Sequence, residues 1–366
     1  MTRRPSPRRS PIAVTMPFRP PLEEYVAYLE KVWASGIMTH HGPLVQELES
    51  GIAKALKVRD VACLVNGTLA IQLALRALRL KGEVITTPFS YAATPAAIAY
   101  EGLKPVFADI DPETLNIDPA RIEGKITERT CAIVPVHVFS CPCDTDRIQE
   151  IADRHGIKVV YDAAHAFAVD WKGRSVMSYG DVSAFSLHAT KLINCGEGGG
   201  CVGRDPEVMA RIRRLRFFGH DEDKRVVDEG TNAKMHELTA ALGLVNLKYL
   251  GKVLENRRRK YGLYQELLKG TPSLRFQRFA PKSYNYSYMP VIFETHELMR
   301  RAERAMSRQE VFARRYFHPS LNLTKPYFQP GLPVSESIAE RVLCLPLYDA
   351  LPEADIERIC SIIRKI

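Results

Sequence analysis

The sequence predicts an α/β protein with a large, mainly parallel sheet and a smaller α+β region after it. The chain has 366 residues, of which 46% are hydrophobic and 25% charged, an ordinary globular composition with enough length for two domains. Between residues 22 and 215, short runs rich in β-branched and aromatic residues alternate with segments of helical periodicity. Such alternation is typical of crossover units and of a parallel sheet covered by helices on both faces.

The individual elements follow in chain order. The strand-like runs are GEVITTP, KPVFADI, TCAIVPV, IKVVYDA and DVSAFSL, and the helical segments among them are TLAIQLALRALRL and DTDRIQEIADRHG. A long helical pattern from Ala233 to Leu268 ends at Gly270 and Pro272, and strand-like NYSYMPVIFE and helical THELMRRAERAM follow. We therefore expect a disordered basic tail (residues 1–11), a large α/β domain (12–248) and a small C-terminal α+β domain (249–366).

Composition excludes several classes of protein. The formal net charge is +9, which suits an anionic ligand such as a nucleotide or phosphate but is too small to indicate nucleic-acid binding. The eight cysteines include no C-x-x-C pair, so we expect reduced thiols and no metal site. No apolar run approaches the roughly 18 residues of a membrane helix, and the basic N-terminus lacks the apolar stretch of a signal peptide. A cytoplasmic protein without membrane partners is predicted.

Two glycine-containing segments are candidates for anion binding. The segment from Gly198 to Gly203 satisfies G-x-G-x-x-G, but it leads into a strand-like run instead of joining a first strand to a helix, so a dinucleotide site is rejected. Gly67 and Thr68 follow apolar VACLV and open a helix, where free N–H groups and the helix dipole favour a phosphate. An ordinary helix cap with a glycine turn explains the same residues.

Three further residues stand at the ends of strand-like runs. Asp162 ends IKVVY, and in an open parallel sheet that edge faces the ligand crevice, although Asp162 could equally cap the next helix. Lys191 follows DVSAFSL and precedes a glycine cluster, so it is either a surface lysine or an amine nucleophile in a partly desolvated pocket. Tyr91 ends a third run. An acid, an amine, an aromatic ring and a phosphate turn together match the needs of pyridoxal 5′-phosphate.

Longer motifs in the chain resemble those of one family. From about Met16 to the C-terminus, the chain is similar to the DegT/DnrJ/EryC1/StrS family of sugar aminotransferases, which use pyridoxal phosphate and have the type I, aspartate-aminotransferase fold. The motifs are GPLVQELE, NGTLAIQLAL, ITTPFSYAAT, PVFADIDPETLNID, VPVHVFSCPCD, VVYDAAHA, FSLHATK, GEGGG, GTNAKMHELTAALG and VLCLPLY. Where relatives usually have a glycine-containing turn, this chain has Ser140 and Cys141.

The resemblance assigns roles around the cofactor ring. Lys191 resembles the lysine that binds the cofactor covalently, and Asp162 resembles the acid that pairs with the pyridinium nitrogen. Tyr91 takes the place of the residue that stacks on the ring. His165 takes the place of a histidine or glutamine beside the pyridoxal hydroxyl.

The resemblance also assigns roles around the phosphate. Gly67, Thr68 and Ser186 resemble phosphate ligands. Asn232 resembles an asparagine that reaches the phosphate of the neighbouring subunit's cofactor, which implies a homodimer with shared active sites.

Substrate class is implied by the same likeness. It favours enzymes that use L-glutamate to aminate C4 of dTDP-4-keto-6-deoxyglucose, a nucleotide-linked keto sugar. A C3 aminotransferase of the same family is the alternative, and a regulatory relative that binds nucleic acid through its arginine-rich tail is a second. Four residues are candidates for substrate contacts, although loop packing explains each as well: His220, Arg315, Tyr316 and His318.

Overall fold

A computed structural model describes residues 10–279 and 284–366. Of the tail predicted to be disordered, residues 1–9 lie outside the described part of the chain, and Ser10 and Pro11 are exposed. Every helix in the described ranges is too short or too polar to cross a bilayer.

The described residues form twelve strands and twelve α-helices. The strands are β1 (Ala62–Leu64), β2 (Glu83–Thr86), β3 (Lys104–Phe107), β4 (Thr130–Val134), β5 (Lys158–Asp162), β6 (Asp170–Trp171), β7 (Arg174–Ser175), β8 (Val182–Ser186), β9 (Gly199–Gly203), β10 (Leu274–Phe276), β11 (Met289–Phe293) and β12 (Val342–Leu345). The helices are α1 (Leu22–Ser35), α2 (Pro43–Leu56), α3 (Gly67–Ala77), α4 (Ala93–Tyr100), α5 (Pro119–Ile122), α6 (Thr145–His155), α7 (Pro206–Leu215), α8 (Glu237–Lys248), α9 (Leu250–Leu268), α10 (His296–Ser307), α11 (Pro333–Arg341) and α12 (Glu353–Ile363). Short 3₁₀ turns lie at Glu123–Lys125, Val138–Ser140, Val176–Ser178, Leu321–Leu323 and Lys325–Tyr327.

Seven strands form the large sheet, in the order β1-β9-β8-β5-β4-β2-β3. Strand β9 is antiparallel to both of its neighbours, and the remaining pairs in the sheet are parallel. All five strand-like runs of the sequence lie in this sheet, and the two helical segments form α3 and α6. The predicted α/β fold with a mainly parallel sheet is confirmed.

The long helical pattern near the middle of the chain forms two helices. Tyr249 separates α8 from α9, and the boundary proposed between residues 248 and 249 falls at this break. Beyond it, β10, β11 and β12 make a second, antiparallel sheet. The division into two domains stays a prediction, since Ile12 packs in the apolar cluster of the C-terminal region. Another cluster joins Phe89 and Phe139 to Phe317, so the core is continuous between the two regions.

The glycine cluster after Lys191 forms strand β9, and Gly199 lies between two strand ends. Gly199 pairs with Leu64 on β1 and with Ser186 on β8. A Cβ at this position would lie 2.6 Å from the Gly67 amide nitrogen and 2.6 Å from the Phe185 carbonyl oxygen, closer than real Cβ atoms approach. The missing side chain therefore lets the start of α3 lie beside the end of β8.

This contact predicts that Gly199→Ala destabilises the protein. The added methyl group has to displace backbone atoms, and overpacking of this kind costs about 1–3 kcal/mol, or a few degrees in the midpoint of thermal unfolding. Differential scanning calorimetry measures the change.

Gly262→Ala is the matched control. Gly262 lies inside α9, and apart from its own helix backbone and chain neighbours no atom of the described residues lies within 4 Å of an added Cβ. Alanine should therefore stabilise the protein by up to about 1 kcal/mol. A Gly199→Ala protein as stable as the parent would contradict the packing described for β9.

Candidate active site

Three segments of the sheet meet at one edge. Strand β5 ends at Asp162 and β8 ends at Ser186, and the two strands are parallel neighbours. The start of α3 lies against the same edge, because a Cβ on Gly67 would lie 3.0 Å from the Cβ of Ser186. Ligands of open α/β sheets bind outside the carboxyl ends of the strands, so this edge is the candidate site.

The start of α3 can bind an anion. Asn66 caps the helix, since its Oδ1 accepts a hydrogen bond of 2.8 Å from the Leu69 amide. The amides of Gly67 and Thr68 open the helix, where N–H groups have no partner inside the helix and the dipole is positive. The hydroxyl of Ser186 accepts a hydrogen bond of 3.2 Å from the His188 amide and can still donate one. Capping and phosphate binding are therefore compatible here.

Asp162 is buried and held from two sides. The Thr94 hydroxyl donates a hydrogen bond of 2.6 Å to Oδ2, and the Ala164 amide donates one of 3.1 Å to Oδ1. Burial raises the pKa of this carboxyl, and the two hydrogen bonds and the charge of Lys191 act against that rise. Each carboxylate oxygen keeps a lone pair for a further donor. Sequence reasoning missed Thr94, although it closes the motif TTPFSYAAT.

Lys191 is half-buried, and its amine contacts a residue from the C-terminal region. Its Nζ donates a hydrogen bond of 3.3 Å to the hydroxyl of Tyr288, which lies just before β11. Burial lowers the pKa of Lys191 from 10.5 to about 8, against the charges of Asp162 and Tyr91. A substantial neutral fraction near neutral pH makes this amine a nucleophile. Sequence reasoning also missed Tyr288.

His165 follows Asp162 and is held in one tautomer. The Phe139 amide donates a hydrogen bond of 3.2 Å to Nδ1, so Nδ1 is the acceptor and the neutral ring carries its proton on Nε2. Burial, and then the charge of Lys191, lowers the pKa of His165 well below its usual value. The ring is thus a neutral hydrogen-bond donor through Nε2.

A turn with left-handed backbone supports His165. Phe139 and Ser140 have φ angles of 51° and 74°, a region in which side chains are unfavourable and glycine is at ease. The Ser140 hydroxyl donates a hydrogen bond of 2.6 Å to the His165 carbonyl oxygen. The positive φ at Ser140 explains in physical terms why a glycine-containing turn suits this position.

Tyr91 and Asn232 lie at more open places. Tyr91 precedes α4 and is 65% exposed, and its charge affects the pKa of Lys191. Asn232 is exposed in the segment between α7 and α8, and its Oδ1 accepts a hydrogen bond of 2.5 Å from Lys234. Among the described residues of a single chain, no hydrogen bond joins Asn232 to Lys191.

The four candidate substrate residues separate into three places. Tyr316 lies near the amine site, with its ring centroid 6.0 Å from that of Tyr288. Arg315 and His318 both contact Glu340 on α11, at 2.9 Å and 3.4 Å, so they already have an internal partner. His220 lies in an open cleft of about 640 Å³. Charges of both signs line that cleft, because it contains Arg213, Arg214, Arg216, Arg225 and Lys234 as well as Asp221, Glu222 and Asp223. Arg213, Arg216 and Arg225 already form ion pairs with carboxylates.

The residues at the sheet edge fit a flat, charged cofactor. Asp162 and Lys191 each affect the pKa of the other, yet no salt bridge within 4.0 Å joins these two described residues. A heteroaromatic ring with a basic nitrogen suits the acid end, a carbonyl carbon suits the amine end, and a phosphate suits Gly67 and Ser186. Pyridoxal phosphate has all three groups.

Comparison with known proteins gives consistent results. A profile of the DegT/DnrJ/EryC1/StrS aminotransferase family matches residues 22–364. The chain is 40% identical to a dTDP-4-amino-4,6-dideoxy-D-glucose transaminase of Escherichia coli over 96% of its length and 98% of the relative. The Shigella dysenteriae transaminase of that name is 42% identical over 97% of this chain and 99% of the relative. The crystal structure of DesI, determined in the presence of its TDP-sugar product, superposes with a TM-score of 0.93 at 37% identity, covering 98% of this chain and 93% of DesI.

Proposed function

The chain belongs to the DegT/DnrJ/EryC1/StrS aminotransferase family, and from that premise we propose that it aminates C4 of dTDP-4-keto-6-deoxy-D-glucose. The amino donor is L-glutamate, and the products are dTDP-4-amino-4,6-dideoxy-D-glucose and 2-oxoglutarate. Membership in the family makes the protein a nucleotide-sugar aminotransferase that depends on pyridoxal phosphate. The identities of 40% and 42% to two transaminases of this name support the choice of sugar.

One observation carries the proposed chemistry: a buried carboxylate and an amine of lowered pKa lie close enough to affect each other's pKa without forming a salt bridge. When bound, pyridoxal phosphate supplies a carbonyl carbon that binds amines and a ring that withdraws electrons. Asp162 holds the proton on the ring nitrogen, because a buried carboxylate stabilises a cation beside it. Lys191 would hold that carbonyl carbon covalently, and its amine, when free, would carry the proton to and from the substrate carbon.

The remaining site residues bind and orient. The Gly67 and Thr68 amides and the Ser186 hydroxyl hold the phosphate at the positive end of α3. His165 donates from Nε2 to the ring hydroxyl oxygen, since Phe139 occupies its Nδ1. Tyr91 would cover one face of the ring, since its exposed side chain lies near enough to Lys191 to affect the pKa of that amine.

The proposal includes a homodimer in which each subunit completes the other's site. Exposed apolar side chains supply surface for such a contact, among them Trp33 (65% exposed) on α1 and Val226 (70% exposed) near Asn232. In the dimer, Asn232 of each copy reaches the phosphate held by the other. Arg214 and Lys234 line the cleft beside Asn232, and their positive charges suit the pyrophosphate of a nucleotide sugar.

The proposed location is the cytoplasm. All eight cysteines are free thiols, a state that a reducing compartment maintains.

The function is tested by incubating the protein with pyridoxal phosphate, L-glutamate and dTDP-4-keto-6-deoxyglucose. Product NMR should show an amino group at C4, with 2-oxoglutarate released in equal amount. Lys191→Ala removes both the covalent attachment and the proton carrier, so turnover should fall below detection and the absorbance of the bound cofactor should lose its yellow band. The alternative regiochemistry requires a ketone at C3, so amination of dTDP-3-keto-6-deoxyglucose without turnover of the 4-keto sugar would support that alternative.

Two results would contradict the proposed function. A Lys191→Ala protein with parental turnover would overturn the assignment of the lysine. Binding of nucleic acid that is sensitive to salt and lost on deletion of residues 1–10, without any cofactor spectrum, would support the regulatory alternative instead.

Subunit mixing tests the shared site. Lys191→Ala and Asn232→Ala dimers should each be nearly inactive, whereas a mixed dimer carries both substitutions in one site and none in the other. Equal mixing with subunit exchange should therefore restore about a quarter of parental turnover. If mass spectrometry shows mixed dimers and turnover stays at the level of the separate variants, Asn232 acts within its own subunit.

A further inference from the structure

The hydroxyl of Tyr288 is the closest hydrogen-bonding group to the amine of Lys191 among the described residues. The Nζ to Oη distance is 3.3 Å. Lys191 follows β8 of the large sheet, whereas Tyr288 leads into β11 of the second sheet. The amine on which the chemistry depends is therefore held by the C-terminal region, through a residue to which neither motif nor family likeness assigned a role.

The ring of Tyr288 is fixed by aromatic neighbours. Its centroid lies 4.5 Å from that of His165, 5.4 Å from that of Phe139 and 6.0 Å from that of Tyr316. Tilted and edge-on contacts at these distances are favourable, and they leave the ring little freedom. The hydroxyl is thus presented to Lys191 at a defined position.

The backbone ahead of β11 is tied to the cofactor side of the site. The side-chain amide of Asn285 donates a hydrogen bond of 2.8 Å to the His165 carbonyl oxygen, and its Oδ1 accepts one of 3.1 Å from the Ser287 amide. The buried guanidinium of Arg257 donates a hydrogen bond of 3.3 Å to the Ser287 carbonyl oxygen. These contacts set the position of Tyr288 relative to His165 and Lys191.

Burial and the groups nearby act on the charge state of the amine. Burial lowers the pKa of Lys191, whereas the charges of Asp162 on β5 and of Tyr91 ahead of α4 raise it. The Tyr288 hydroxyl contacts the amine directly, and the neutral ring of His165 packs 4.5 Å from that of Tyr288. Burial raises the pKa of Tyr288 far above neutral pH, so its hydroxyl keeps its proton. A neutral hydroxyl accepts from an ammonium group and donates to a neutral amine.

We propose that Tyr288 is a positioning residue that holds the amine of Lys191 whenever that amine is not bound to the cofactor. The inference rests on the proposed function, in which Lys191 is released and then carries a proton. The hydroxyl stays hydrogen-bonded to the amine in both protonation states and only reverses which atom donates. Tyr288 neither gains nor loses a net proton, and the transferred proton moves only between Lys191 and the substrate carbon.

A neutral partner suits this task better than a carboxylate. A carboxylate at 3.3 Å would favour the ammonium form strongly and would withdraw the amine from proton transfer near neutral pH. The hydroxyl contributes a hydrogen bond without a net charge, so it holds the amine in place and favours the ammonium form far less than a carboxylate would.

Tyr288→Phe tests the proposal, because it keeps the ring packing and removes only the hydroxyl. The first measurement uses the full-length protein loaded with pyridoxamine phosphate, a form in which Lys191 is free. Competitive acetylation at a series of pH values, followed by mass spectrometry of the Lys191 peptide, gives the pKa of the amine. The hydroxyl stabilises the ammonium form more than the neutral form, so we expect the midpoint to fall by about 0.5–1 pH unit in the variant.

The second measurement separates positioning from charge. At a pH above both midpoints, Lys191 is neutral in the parent and in the variant. We expect kcat to remain about tenfold lower in Tyr288→Phe with the KM for L-glutamate changed less than twofold, because the neutral amine is no longer held. If kcat of the Tyr288→Phe variant returned to the parental value at high pH, Tyr288 would have no positioning role. If the midpoint of Lys191 acetylation were the same in the variant and the parent, the hydrogen bond between Tyr288 and Lys191 would be contradicted.

Tyr261→Phe is the matched control. Tyr261 is a buried tyrosine of the same C-terminal region whose hydroxyl has no hydrogen-bond partner among the described residues. Its replacement should leave the midpoint of Lys191 acetylation and kcat at parental values. Equal effects of Tyr261→Phe and Tyr288→Phe would indicate that both variants only loosen the packing of the C-terminal region, which would contradict the proposal.

Failure of the inference and failure of the proposed function are distinguishable. The acetylation midpoint requires no keto sugar, and the release of 2-oxoglutarate from L-glutamate reports the first half of the reaction alone. A parent protein that releases none contradicts the proposed function, whereas a normal parent with an unaffected Tyr288→Phe variant contradicts only the role of Tyr288.

Discussion

The burial of the Asp162 carboxylate is the constraint on which the site depends. Removing an ionised carboxylate from water costs several kcal/mol unless a counter-charge and hydrogen bonds offset the loss. Thr94 and Ala164 supply the hydrogen bonds, but no cation lies within salt-bridge distance of Asp162 among the described residues. The arrangement is therefore suited to a cation supplied by the cofactor, and the protonated pyridine nitrogen is such a cation in the function proposed above.

The architecture that surrounds this carboxylate comes from backbone geometry as much as from side chains. Gly199 on β9 has no side chain, which allows the start of α3 to lie against the end of β8. The Gly67 and Thr68 amides and the Ser186 hydroxyl therefore share one edge of the sheet with Asp162. On the other side, the left-handed turn at Phe139 and Ser140 fixes the tautomer of His165. The large sheet thus positions the residues proposed to contact the ring and the phosphate, and the C-terminal region adds Tyr288 to them.

Sequence reasoning predicted a mainly parallel sheet and five of its seven strands, because hydrophobic periodicity and parallel topology determine where strand ends meet. Lys191, Asp162 and Ser186 were proposed as site residues in this way or through family motifs. Thr94, Phe139 and Tyr288 were not, since their contacts depend on backbone angles and on packing between segments distant in sequence. A φ of 51° at Phe139 has no signature in a single sequence, and Tyr288 stands 97 positions from the lysine it contacts.

The protonation state of the cofactor nitrogen tests the central claim most directly. Nitrogen-15 NMR of the full-length protein loaded with pyridoxal phosphate labelled at the ring nitrogen distinguishes a protonated from a neutral pyridine. The account predicts a protonated nitrogen in the parent and a neutral one in Asp162→Asn, with cofactor bound in both. A neutral nitrogen in the parent, or a protonated nitrogen that persists in Asp162→Asn, would contradict it.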